Sequence, residues 1–235
     1  MNDSCEKKSG LDFVETIRPY QVLLIQDTFG EEVKFFMPQP QAWGSLTTIE
    51  ALMLVKLMRI VNPKKVFEFG TYKGLTTRLL LENLSENDIN DKRLYTLDLP
   101  ALEGVSFQGG DLAVAAQSIG YSRKYLTSPR KNWVNQLLQD SMTLDGDDYK
   151  KQFEFIFVDA NHEVSYARRD TENSLKMLAD SPSCIVWHDY NNPEFPELTQ
   201  YLDDLSKEIK IYHIGDTMLA FHLRGHEVPP KRVFE

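Results

Sequence analysis

The sequence predicts one doubly wound α/β domain on a mostly parallel seven-stranded sheet with an antiparallel C-terminal strand. Three observations carry this prediction. Strand-like apolar runs alternate with helical patterns from residue 65 onward, the order that gives parallel strands with helices on both faces. The runs 153–158 and 184–187 are almost continuously apolar, as strands covered on both faces require. The last two runs, 210–214 and 218–223, flank only Gly215-Asp216-Thr217, a spacing that suits a hairpin rather than a crossover.

In chain order, residues 1–10 are polar and mixed in charge. Residues 11–36 mix apolar and aromatic side chains around Pro19 and Gly30 and suggest a small cap of helix and extended pieces. Pro38 and Pro40 punctuate the chain before Thr47 and Glu50, whose spacing is that of a capping box. Ile49, Leu52, Val55, Leu57 and Met58 follow as the apolar stripe of a helix ending near Pro63. Strands are expected at 65–69, 93–98, 134–139, 153–158 and 184–188, and helices at 74–84, 164–178 and 197–209. The connection 100–131 is long, carries Gly104, Gly109, Gly110 and Gly120, and holds the basic cluster Arg123, Lys124, Arg130 and Lys131. Connections of that length are commonly lids or substrate loops. The expected division is a cap at 1–47, the main domain at 48–225 and a tail at 226–235.

At 235 residues the chain suits one core, and 42% hydrophobic with 26% charged residues is the composition of a globular protein. A formal charge of -9, with no basic face to offset it, argues against nucleic acid as a partner. Cys5 and Cys184 are the only cysteines, too few for a disulfide framework or a cysteine-rich zinc site. The expectation is a soluble cytoplasmic protein without a signal peptide or membrane span, with self-association left open.

The chemistry concentrates at the predicted strand ends. Residues 66–74 read Val-Phe-Glu-Phe-Gly-Thr-Tyr-Lys-Gly, a buried strand running through a glycine-bracketed turn into a helix. Ligands of open α/β sheets sit outside the carboxyl ends of strands, and the free amides of the next helix can hold a carboxylate. The Gly-x-x-x-Gly spacing after Glu68 differs from the Gly-x-Gly-x-x-Gly of dinucleotide binders and argues against NAD or FAD. Asp98 ends the second strand, where a carboxylate can accept ribose hydroxyl protons. Asp140 and Ser141 end the third, suited to an adenine amino group.

This combination resembles the class I S-adenosylmethionine-dependent methyltransferases, and more closely their small-molecule O-methyltransferase branch of family-24-type, macrocin and catechol O-methyltransferase-like enzymes. The resemblance covers about residues 48–223. It implies that Glu68, Gly70, Thr71, Tyr72 and Gly74 surround the methionine part of S-adenosylmethionine, Asp98 its ribose, and Asp140 with Ser141 its adenine, with Asp159 also at the cofactor. At the acceptor end, Asp159-Ala160-Asn161-His162 is similar to the branch's strand, Asp and helix-starting His, although Ala160 and Asn161 depart from its usual filling. His188-Asp189 ends the next strand.

Asp159 and Asp189 on neighbouring strand ends could hold Mg²⁺, which would lower the pKa of an acceptor hydroxyl. Tyr190 stands where metal-dependent relatives continue with Asn or Asp, so metal-dependent and metal-free activation both stay open. Without metal, the expected catalytic residues are Asp159 with His162 or His188 as general base, His162 preferred. The expected function is O-methylation of a small-molecule hydroxyl, of a sugar, a phenol or a secondary metabolite. The alternatives are a noncatalytic cofactor-binding or assembly module and a nucleotide-sugar or dinucleotide enzyme on the same sheet.

Overall fold

The computed structural model describes residues 14–26, 32–35, 44–86 and 92–231. Strand β1 (Glu15–Ile17) and helix α1 (Pro19–Leu23) come first, then α2 (Thr48–Val61), β2 (Val66–Phe69), α3 (Leu75–Asn83), β3 (Leu94–Asp98), α4 (Asp111–Ser118) and β4 (Val134–Leu138). They are followed by β5 (Phe155–Val158), α5 (Val164–Met177), β6 (Ser183–Trp187), α6 (Pro196–Leu205), β7 (Tyr212–Ile214) and β8 (Ala220–Arg224). The sheet order is β1-β7-β8-β6-β5-β2-β3-β4. All pairings are parallel except those of β8, which runs antiparallel between β6 and β7. The seven expected strands are all present. The eighth is β1, a three-residue edge strand whose pairing with β7 joins Glu15 to Tyr212 across nearly the whole chain, beyond the reach of local patterns. Gly30, Pro38, Pro40, Trp43 and Cys5 lie outside the described residues.

Side-chain alternation sorts the core into two layers. Val66, Phe155, Phe157 and Val186 face α2 and α3. Phe67, Phe69, Ile156 and Trp187 face α5 and α6. The strands β2, β5 and β6 are buried at every position, which explains their continuous apolar runs. The capping box forms as expected: the Glu50 backbone amide donates to Thr47 Oγ1 at 3.3 Å and the Thr47 amide to Glu50 Oε2 at 2.8 Å. Among the described residues no helix is long and apolar enough to cross a membrane.

The chain runs from β2 outward through β3 to β4, then returns to the other side of β2 with β5 and β6. The strand order therefore reverses between β2 and β5, and a crevice opens there at the carboxyl ends.

Candidate active site

A cavity of about 440 Å³ occupies that crevice. Its floor is built by the segments after β2, β3, β5 and β6, and α4 with the start of α2 forms its walls. Gly70, Thr71, Tyr72, Asp98, Ser141, Asp159, His162, His188 and Asp189 line it, whereas Glu68, Gly74 and Asp140 are not among its lining residues.

The glycine turn is shaped by protein contacts as much as by room for a ligand. Gly70 has φ +90°, and a Cβ there would lie 1.9 Å from the Asp159 carbonyl oxygen, so β2 and β5 can close only over a glycine. Gly74 caps α3 in the left-handed region, with the space beside it filled by Tyr125 and Arg123. Glu68 is fully buried, its Oε2 accepting from Thr77 and Thr96 hydroxyls at 2.6 Å each. Burial pushes its pKa up to about 8 against those two hydrogen bonds, so it is largely protonated at neutral pH. Its Oε1 has no partner among the described residues. Glu68 thus lies beneath the turn, bonded to Thr77 and Thr96, and is not among the residues lining the cavity.

Asp98 ends β3 against Arg123 from the long connection. Arg123 Nη2 donates to Asp98 Oδ2 at 2.8 Å and Ser118 Oγ to the same oxygen at 2.5 Å, while Asp98 Oδ1 accepts the Leu99 amide at 3.0 Å. Burial raises the Asp98 pKa, opposed by Ser118 and Arg123. Asp140 caps a 3-10 turn by accepting the Met142 amide at 2.9 Å and receives the Tyr166 hydroxyl at 3.2 Å. Beneath it Asp170 is buried, its pKa raised to about 7 by that burial against a hydrogen bond from Ser141.

The opposite end holds a chain of alternating carboxylates and imidazoles. His162 Nδ1 lies 2.9 Å from Asp111 Oδ1, and its Nε2 lies 2.7 Å from Asp189 Oδ2. Asp189 Oδ2 also meets His188 Nδ1 at 2.7 Å, and Asp159 Oδ1 is 3.4 Å from that nitrogen. Glu50 Oε1 is 3.6 Å from His188 Nε2, an atom without a hydrogen-bond partner among the described residues. Burial alone would favour neutral imidazoles, but Asp111 and Asp189 raise His162 to about 10, and Asp159 with Asp189 holds His188 well above its ordinary value. Glu50, although buried, is lowered to about 2 beside His188. Both ring nitrogens of His162 thus face carboxylates, which hold its pKa far above that of an ordinary imidazole.

A family model described as a methyltransferase domain, family 24, matches residues 67–190, from within β2 to just past β6. The chain belongs to this methyltransferase family. The enzyme class expected from the sequence, an S-adenosylmethionine-dependent methyltransferase, stands with it. Solved structures share the fold. A candidate caffeoyl-CoA O-methyltransferase from Staphylococcus aureus is 15% identical, with 77% of this chain and 85% of that one covered and a TM-score of 0.53. The O-methyltransferase TomG of Streptomyces achromogenes, involved in tomaymycin synthesis and solved with SAM, is 14% identical over 77% of this chain and 82% of that one, TM-score 0.52. A candidate O-methyltransferase from Klebsiella pneumoniae is 15% identical over 77% and 80%, TM-score 0.51. No curated protein matches the chain in sequence.

Within this methyltransferase the expected cation pair, Asp159 and Asp189, gains a third donor: ligand atoms of Asp159, His188 and Asp189 all lie within 4.8 Å of one another. One nitrogen and two oxygens suit a borderline divalent ion better than Mg²⁺, which favours oxygen throughout. Such an ion would compete with the proton on His188. Sequence reasoning missed Asp111, Arg123 and Glu50. Asp111 and Arg123 sit in the long connection and Glu50 was read only as a helix cap, so no local pattern tied any of them to the strand ends.

Proposed function

We propose that this methyltransferase transfers the S-adenosylmethionine methyl group to a hydroxyl oxygen of a small molecule such as a sugar, a phenol or a secondary metabolite. The observation that carries the reading is the arrangement of one cavity at the sheet's reversal point, with Asp98 at one end and the Asp159–His188–Asp189 group at the other. S-adenosylmethionine, when bound, supplies an electrophilic sulfonium methyl. Gly70 to Tyr72 and Asp98 would hold it, with Ser141 and Asp140 at the adenine side, and Asp159 would accept the acceptor's hydroxyl proton. His188, bonded to Asp189 at 2.7 Å and 3.4 Å from Asp159, would orient the Asp159 carboxylate. Orientation of the two reactants in the cavity supplies the rest of the rate. Lys73 is the sole Lys or Arg lining the cavity among the described residues, and its Nζ donates to Gln117 Oε1 at 3.3 Å. Acceptors bearing phosphate groups therefore fit poorly.

Isothermal titration tests the cofactor: micromolar binding of S-adenosylmethionine and S-adenosylhomocysteine is expected, and binding of neither overturns the reading. Asp159→Asn is expected to lower kcat by about 100-fold or more while the cofactor Kd moves less than about twofold. Loss of cofactor binding in that variant would move Asp159 out of the acceptor role. Chelation separates the activation routes. Activity that survives it assigns activation to the Asp159–His188 pair, and activity restored by Mn²⁺ or Mg²⁺ assigns it to an ion.

A further inference from the structure

We propose that Glu50 is a positioning residue of the acceptor end: it holds the His188 ring with Nε2 turned to α2, so that Nδ1 faces Asp159 and Asp189. The catalytic consequence rests on the methyltransferase reading above, whereas the orientation does not. In the sequence Glu50 is half of a helix cap, yet the cap uses the side chain through one oxygen alone. Oε2 accepts the Thr47 amide and the Thr47 hydroxyl, each at 2.8 Å. Oε1 accepts the Met218 amide at 2.8 Å and lies 3.6 Å from His188 Nε2. A cap needs no burial, but Glu50 is only 2% exposed. Withdrawing a carboxylate from water costs free energy that donors or an opposite charge must offset, and His188 stands where such a charge is needed.

His188 gains its orientation from the same contact. Its Nδ1 is taken by Asp189 Oδ2 at 2.7 Å, with Asp159 Oδ1 at 3.4 Å. Its Nε2 is buried without a hydrogen-bond partner among the described residues, and Glu50 is the carboxylate that faces it. A proton on Nε2 meets that negative charge favourably, and a lone pair there is repelled by it. Turning the ring over about Cβ–Cγ would put carbon in the place of each nitrogen, leaving carboxylates on both sides without a donor. Glu50 is fixed from two sides, by the first turn of α2 and by Met218 between β7 and β8. It therefore ties two distant parts of the chain to the end of β6. Without it the ring is free to turn, and Asp159 loses the group that orients its carboxylate toward the acceptor.

The test is long-range proton–nitrogen NMR on protein carrying isotope-labelled histidine, which reports whether each ring nitrogen bears a proton. The His188 signals are assigned by their loss in His188→Gln. Wild type is expected to show a slowly exchanging proton on His188 Nε2. In Glu50→Gln the amide oxygen is drawn to the two Thr47 donors and the NH₂ group turns to His188, so the Nε2 proton is expected to be lost. Thr47→Ala removes only the cap and is expected to keep that proton. If Glu50 serves α2 alone, both variants lose stability to urea and leave the His188 signals as in wild type, which overturns the proposal. A wild-type His188 with a bare Nε2 overturns it as well, and that result holds even if Glu50→Gln fails to fold by circular dichroism. S-adenosylhomocysteine titrated into wild type keeps the two readings apart: absence of binding overturns the methyltransferase reading, while the histidine spectra decide the orientation.

Discussion

Glu68 illustrates how burial redefines a residue that its position in the sequence marks as functional. An acid before a glycine turn reads as a ligand contact, yet this one is enclosed and largely neutral near pH 7. Its folded pKa, about 8 against 4.5 for the free group, means that the folded chain binds more protons than the unfolded one between those values. Stability from this group is therefore lost as pH rises from about 4.5 to 8. Glu68→Gln lacks that titration, so its unfolding free energy from urea titration should rise relative to wild type between pH 5 and pH 8, by a few kcal/mol at most. An unchanged difference across that range would refute the burial account. Gly70 was legible in the sequence, but the cause visible in the fold is the Asp159 carbonyl oxygen pressed against it. The acceptor-end histidines were legible as residue types, whereas their protonation depends on Asp111 and Asp189 arriving from different elements.

At the scale of elements, the connection between β3 and β4 departs most from the sequence reading of a long lid or loop. It contains α4, a helix of eight residues of which only Ser118 is buried, too short and too thinly packed to persist on its own. Tertiary ties hold it: both Asp111 oxygens meet His162, the Asn161 side-chain amide donates to the Ser106 carbonyl at 2.6 Å, and the Tyr72 hydroxyl donates to Gln117 at 3.1 Å. Asp111→Ala should therefore speed amide hydrogen exchange in residues 106–118 by about tenfold or more, with β2 and β5 unchanged. Uniform protection in that variant would show that α4 is held otherwise. Of the basic cluster read along this connection, Arg123 clamps Asp98 and Arg130 donates to the Leu84 carbonyl at 2.7 Å. Both act within the fold, and neither could be told from a substrate contact by spacing alone.

At the scale of the whole molecule, the cavity exists because the strand order reverses between β2 and β5, so that loops on either side diverge and leave a crevice. A ligand filling it touches segments from most of the sheet and should stabilise the domain as a unit. S-adenosylhomocysteine at 100 times its Kd adds about 2.7 kcal/mol, which for a chain of this size raises Tm by about 5–10 °C in a thermal scan. No shift at that saturation would mean that the cavity does not bind the cofactor in the folded state.

The sequence by itself determined the alternation of elements, the burial of the central strands, the C-terminal hairpin and the acids that end β2, β3, β5 and β6. Those features follow from local periodicity and chain order, which act over a few residues. Only the tertiary structure decided that β1 extends the sheet, that Glu68 is enclosed beneath the turn, that His162 sits between two carboxylates, and that Arg123 holds Asp98. Each depends on a distance between residues far apart in the chain, and desolvation and charge pairing take their values from those distances.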